Sequence, residues 1–140
     1  MSDALNRGLE DAVVAETRLS SIDGERGELR IAGYDVADLA PNATYEEVLF
    51  LLLNDRLPDA DELAALREDL AGRRDLPDET HGVLRAAAEE GEPAMAALRM
   101  AAAAGSLGHE GEDPDLDARR MVAALPTAVA AYWRYRQGED

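Results

Sequence analysis

The 140-residue sequence has no cysteine, no lysine and few β-branched residues, and each shortage removes a class of answers. Without cysteine, neither a disulfide framework nor a thiolate zinc site can be built. Without lysine, the Lys-containing P-loop signature cannot be written, and no other phosphate-binding glycine loop is present. The 14 basic residues, all Arg, face 30 acids, for a formal net charge of −16 and a pI near 4.3. Nucleic acids and anionic membrane surfaces both require a basic patch, so neither is an expected partner. The longest apolar run, Val48–Leu53, falls far short of the roughly 18 residues that mark a membrane span. Met1-Ser2-Asp3-Ala4-Leu5-Asn6-Arg7 shows no basic region followed by an apolar stretch. The expected localisation is cytoplasmic.

What is present argues for a folded helical protein. With 46% apolar residues the chain is not compositionally disordered. Its length fits one domain, residues 1–140, and chains of this size bury roughly 68–70% of their unfolded surface. An acidic, lysine-free surface repels itself, and that repulsion is tolerable where salt screens it. The expectation is a cytosol of high ionic strength. GC-biased codon usage would explain the missing Lys but not the excess of acid.

Ala contributes 27 residues and Leu 19, against nine Val and Ile together, which favours helix over strand. One segment differs. Within 15–34, the runs Arg18–Ile22 and Glu28–Ile31 flank Asp23-Gly24-Glu25-Arg26-Gly27, and the spacing predicts a small hairpin. About five helices follow over 44–136. Thr44-Tyr45-Glu46-Glu47 fits a capping box and leads into Val48–Leu53, a segment apolar almost all round and expected to be buried on most sides. Asp59 with Glu62 repeats the cap, ahead of Leu63, Leu66 and Leu70. Further helices are predicted near Pro77, carrying Val83, Leu84, Ala87 and Ala88, and near Pro93, with Met95, Leu98 and Ala102 on one stripe. After a polar break from Gly105 to Asp113, the last helix opens with Asp113 as cap and Pro114 in its first turn. Its stripe is Met121, Val122, Leu125, Val129, Tyr132 and Trp133, with a kink expected at Pro126 and an end at Gly138. The fold class is all-α, an Ala/Leu-rich multi-helix domain with a small N-terminal β-hairpin.

No catalytic, cofactor-binding or metal residue is assigned. His81 stands in the first turn of a helix and His109 in an acidic loop, and neither has an adjacent nucleophile or orienting group. A metalloprotease helix is excluded because the position four after His109 is Asp113. Glu110, Glu112, Asp113, Asp115 and Asp117 alternate as in a calcium loop, but counting from Asp113 the required Gly is Ala118 and the bidentate Glu is Ala124. A solvated acidic loop is the better reading. The small residues Ala101–Ala104, Ala123, Ala124, Ala128, Ala130 and Ala131 read either as ordinary core packing or as helices meeting symmetry mates in a dimer.

Seven pieces in register resemble the N-terminal region of citrate synthases. They are Gly8-Leu9-Glu10-Asp11; Glu16-Thr17 through Ser21-Ile22-Asp23-Gly24 to Gly27-Glu28-Leu29; Gly33-Tyr34-Asp35-Val36-Ala37-Asp38-Leu39-Ala40; Thr44-Tyr45-Glu46-Glu47-Val48; Leu57-Pro58; Pro93-Ala94-Met95-Ala96-Ala97-Leu98-Arg99; and Ala118-Arg119-Arg120-Met121 through Leu125-Pro126-Thr127 to Tyr135-Arg136. The acidic style is similar to that of the family in salt-loving archaea. Such enzymes condense an acyl-CoA with oxaloacetate, using two His and one Asp from a later part of their chains. The resemblance therefore implies an N-terminal portion that needs another chain for activity and has no cofactor of its own. It also implies a homodimer, or a hetero-assembly with a citrate synthase-type chain, through helices 94–107 and 118–136. A non-catalytic dimerisation or regulatory module, and a decayed gene product, are the alternatives. Two positions depart from the family pattern: Ala32 stands where Arg is usual, and Glu92-Pro93-Ala94-Met95 replaces His-Pro-Met.

Overall fold

In the computed structural model, residues 16–108, 111 and 113–139 are described. The elements run β1 (Ser20–Asp23), β2 (Glu28–Ile31), β3 (Tyr34–Asp35), α1 (Val36–Asn42), α2 (Tyr45–Asn54), α3 (Ala60–Ala71), α4 (Asp78–Glu89), α5 (Ala94–Gly105) and α6 (Pro114–Arg136). The chain divides into two compact units at Leu63/Ala64, inside α3.

In the first unit the hairpin forms with Ser20 opposite Ile31 and Asp23 opposite Glu28. The Asp23 carboxylate accepts hydrogen bonds from the amides of Glu25 and Arg26, and Gly27 supplies the positive φ that closes the loop. A third strand, not expected from the sequence, pairs antiparallel with β2 through Ile31–Tyr34. The two-residue turn between them, Ala32-Gly33, has positive φ at both positions, +46° and +89°. That is the backbone of a primed hairpin turn, for which Asn-Gly is the favoured pair, so Ala32 is strained there.

Asp35 then caps α1, a short helix that also escaped sequence reading, by accepting from the Ala37 amide. The Thr44–Glu47 capping box forms in full. The helix it opens is less buried than its composition implies: within α2 Leu51 is buried, Val48, Leu49, Phe50 and Leu52 are half-buried, and Leu53 is exposed. α2 ends on Asp55 in the left-handed conformation, and Arg18 Nε donates to that carboxylate at 2.8 Å. The Asp59–Glu62 reciprocal cap is present too, and Arg56 grips Glu62 with two nitrogens at 2.7 and 2.5 Å.

The second unit has its own core. Leu84, Ala87, Ala97, Ala101, Ala128 and Tyr132 form one buried cluster from α4, α5 and α6. Leu66 and Leu70 of α3 are buried as the spacing predicts. Four of the six cluster residues are Ala, so this core is thin in side-chain volume and depends on helix backbones lying close together. Asp113 caps α6 by accepting from the amides of Asp115 and Leu116, with Pro114 in the first turn, and the helix continues as one 23-residue element through Pro126.

Candidate functional site

The apolar stripes read on α5 and α6 are only partly buried. On α5 the buried residues are Ala97, Ala101 and Ala104, while Met95 is 70% and Met100 40% exposed. On α6 Ala123, Ala128 and Tyr132 are buried, while Val129 is 48% and Trp133 65% exposed. The reason is steric: alanine faces let α4, α5 and α6 approach closely, which turns the larger apolar side chains outward. Val129 and Trp133 border a shallow recess with Gly91, Pro93, Ala94, Tyr132 and Arg136. Its floor is fixed at two points. The Tyr132 hydroxyl donates to the Glu92 carbonyl oxygen, and Gly91, at φ +74°, sits where an added Cβ would stand 3.3 Å from Arg136 Nη1. Sequence reading placed Met95, Val129 and Trp133 on the correct elements but could not orient them, because small and large apolar residues occupy several faces of these helices.

His81 is hydrogen-bonded across the second unit. Its Nδ1 lies 2.7 Å from the Tyr135 hydroxyl, with the two rings edge to face and the Arg85 guanidinium 4.2 Å from the centre of the Tyr135 ring. This pins the start of α4 to the end of α6. His109, Glu110 and Glu112 lie outside the described residues, as does the Gly8–Asp11 stretch. Of the remaining loop acids, Asp113 is consumed as the α6 cap and Asp117 pairs with Arg120. Among the described residues there is no group of three or more His, Asp and Glu able to hold a metal ion, and no helix long and apolar enough to cross a membrane.

Two carboxylates are electrostatically perturbed. Hydrogen bonding to Arg56, aided by the Asp59 amide, lowers Glu62 to about 2. Arg73, bonded to Asp69 at 2.6 and 2.9 Å, holds that carboxyl below its usual range against the opposing effect of burial. Arg119 on α6 approaches the same carboxylate at 3.8 Å, which links α3 to α6 within the second unit. Both are structural ion pairs with no reactive group beside them.

The described residues thus form a helical array whose α5 and α6 carry exposed large apolar side chains. The family model for the citrate synthase C-terminal domain matches residues 8–140, and the chain belongs to the citrate synthase family. It is 46% identical to the citrate synthase of Haloferax volcanii, with all of this chain aligned to 39% of that protein. Among solved structures, it is similar to the citrate synthase of Pyrobaculum aerophilum at 35% identity and a TM-score of 0.84, covering 95% of this chain and 37% of that one. It is also similar, at 30% identity and a TM-score of 0.81, to the citrate synthase of Thermoplasma acidophilum solved as a ternary complex with carboxymethyl coenzyme A and oxaloacetate. That match covers 95% of this chain and 36% of the other. The chain thus spans less than two fifths of the length of these relatives.

Proposed function

We propose that these 140 residues are the N-terminal portion of a citrate synthase-type acyltransferase, acting on an acyl-CoA and oxaloacetate only when further polypeptide supplies the acid–base residues. The observation that carries this reading is the inversion on α5 and α6, where Ala fills the core while Met95, Val129 and Trp133 face outward. Exposed apolar side chains, two of them bordering a recess, fit a docking surface better than a solvated one. The occupant is a second copy of the chain or a citrate synthase-type chain, meeting 94–107 and 118–136. In this reading the whole chain works as one unit without catalytic, cofactor or metal residues of its own, in a salt-rich cytoplasm.

The second reading is a non-catalytic dimerisation or regulatory module. It is favoured by the coherent core of the second unit and the Asp113 cap of α6, which look like a settled fold. Release of CoA from acetyl-CoA and oxaloacetate separates the two when measured in concentrated KCl with and without a polypeptide carrying the remainder of the family fold. The first reading expects no turnover from the 140-residue chain alone and turnover from the mixture. Turnover by the chain alone would overturn both, and an inactive but stable mixture would favour the module.

A further inference from the structure

Asp23-Gly24 is the only Asp-Gly pair in the sequence, and no Asn precedes a Gly. The pair opens the turn between β1 and β2 in the first unit, where residues 24–27 are all exposed, and it lies outside 94–107 and 118–136. Oδ1 of Asp23 accepts from the Glu25 amide at 3.1 Å and the Arg26 amide at 3.0 Å, while Oδ2 lies 3.7 Å from Arg26 Nε and the side chain stays 43% exposed. A side-chain oxygen bonded two and three residues ahead closes a ring along the intervening peptide, so the carboxyl carbon is held beside the Gly24 nitrogen. Among the described residues the Gly24 amide donates to no acceptor. A Cβ at Gly24 would meet no atom within 4 Å, so the space around that nitrogen is open as well.

Other aspartates supply the contrast. Asp113 holds its Oδ1 in the same way, on the amides of Asp115 and Leu116, but the next residue is Pro114, which has no amide proton to give. Asp35 accepts from the Ala37 amide, but the next residue is Val36, whose branched side chain crowds its own nitrogen. Asp69 lies inside α3, where the following amide is spent on the helical ladder.

We propose that Asp23-Gly24 is a modification site: in the folded turn it closes to a succinimide and reopens as isoaspartate, whose freed α-carboxylate is the methyl-accepting group for a carboxyl methyltransferase. The Gly24 nitrogen attacks Cγ, and the charge that builds on Oδ1 is met by the two amides already bonded to it, as in an oxyanion hole. A C–N bond forms and a C–O bond breaks, and Oδ2 leaves as water with the Gly24 amide proton and one proton from solvent. Water then adds to one of the two ring carbonyls. Opening at Cγ restores aspartate, whereas opening at the former backbone carbonyl leaves the chain running through Cβ with a free carboxylate on Cα. One water is lost and one regained, so these steps amount to an isomerisation. The methyl then comes from a sulfonium donor, which departs as a thioether while the carboxylate oxygen gains the methyl carbon. The extra backbone atom falls at the register pair Asp23–Glu28 and carries the carboxylate away from the Glu25 and Arg26 amides, so the modified hairpin loosens at its closed end.

The test is incubation of the folded 140-residue chain in concentrated KCl at neutral pH. Isoaspartate is located by proteolytic mapping with fragment ions that separate the two isomers, and counted by tritiated methyl transfer from S-adenosylmethionine with purified isoaspartyl methyltransferase. Isoaspartate should accumulate at residue 23 while Asp35 and Asp113 stay at background, preceded by loss of one water from the same peptide. Gly24→Ala puts a methyl into open space and should bring residue 23 to background, with circular dichroism unchanged. Asp23→Asn keeps an oxygen for the two amides and reaches the same succinimide with loss of ammonia, so it should yield isoaspartate faster than the parent chain. The proposal is overturned if residue 23 stays at the level of Asp35 and Asp113, or if Gly24→Ala leaves its isoaspartate unchanged. Isoaspartate that forms only when the chain is unfolded in urea would overturn it too, since the turn would then protect the pair rather than close it.

Discussion

The two units of the chain are held by different physics. Up to Leu63, the buried apolar residues described are Leu39 and Leu51, and order there rests on local devices: a three-stranded sheet, the Asp35 cap, two capping boxes and the Arg18–Asp55 and Arg56–Glu62 pairs. Beyond it, ten apolar residues are buried and six of them form one cluster. Local hydrogen bonds specify where an element starts and stops, whereas a cluster of non-local contacts makes helices unfold together. The second unit should therefore melt as one cooperative transition, and the first should respond most to changes at its turns and caps.

The largest expected effect is at Leu84, fully buried in the α4–α5–α6 cluster. Leu84→Ala should destabilise the second unit by about 2–5 kcal/mol, since a core so rich in Ala has little side-chain volume with which to refill the hole. Urea titration followed by far-ultraviolet circular dichroism checks this. A loss below about 0.5 kcal/mol would erase the contrast between the units. Next comes Tyr132→Phe, which leaves the Glu92 carbonyl without its side-chain donor and should lower stability by about 1 kcal/mol in the same titration.

In the first unit the sharpest test is the strained turn. Ala32→Asn places a residue that tolerates positive φ in front of Gly33 and should raise stability by roughly 0.5–1 kcal/mol. Hydrogen exchange of the β2–β3 amides would show that gain locally. The smallest effect concerns Glu62. Because its folded pKa is depressed, to about 2 from 4.5, its contribution is present in full above about pH 4.5 and is lost as pH falls toward 2. Glu62→Gln should therefore flatten the acid limb of the melting-temperature profile in that window, with less difference in high salt because the pair is exposed.

Much of this architecture was legible because it is written in local rules. The hairpin strands, the caps at Thr44, Asp59 and Asp113, and the helix starts after Pro77 and Pro93 each depend on residues within a few positions of one another. β3 and α1 were missed because two- and seven-residue elements have almost no periodicity and are fixed by neighbours. The outward turn of Met95, Val129 and Trp133 was hidden for a different reason. Periodicity detects a stripe only against a polar background, and on α5 and α6 small and large apolar residues occupy several faces. The Tyr135 partner of His81 had no signal in the sequence, since the two residues lie far apart in the chain. What the sequence did carry, through pieces such as Gly33–Ala40 and Ala118–Met121, was the family.

The outward face of α5 and α6 is the centre of the functional reading, and sedimentation velocity over a range of protein concentrations in concentrated KCl tests it most directly. The chain should self-associate to a dimer, and the double substitution Val129→Ser with Trp133→Ser should shift it to monomer without loss of helical content. A wild-type chain that stays monomeric, alone and in the presence of polypeptide carrying the remainder of the family fold, would contradict the assignment of this face as an interface.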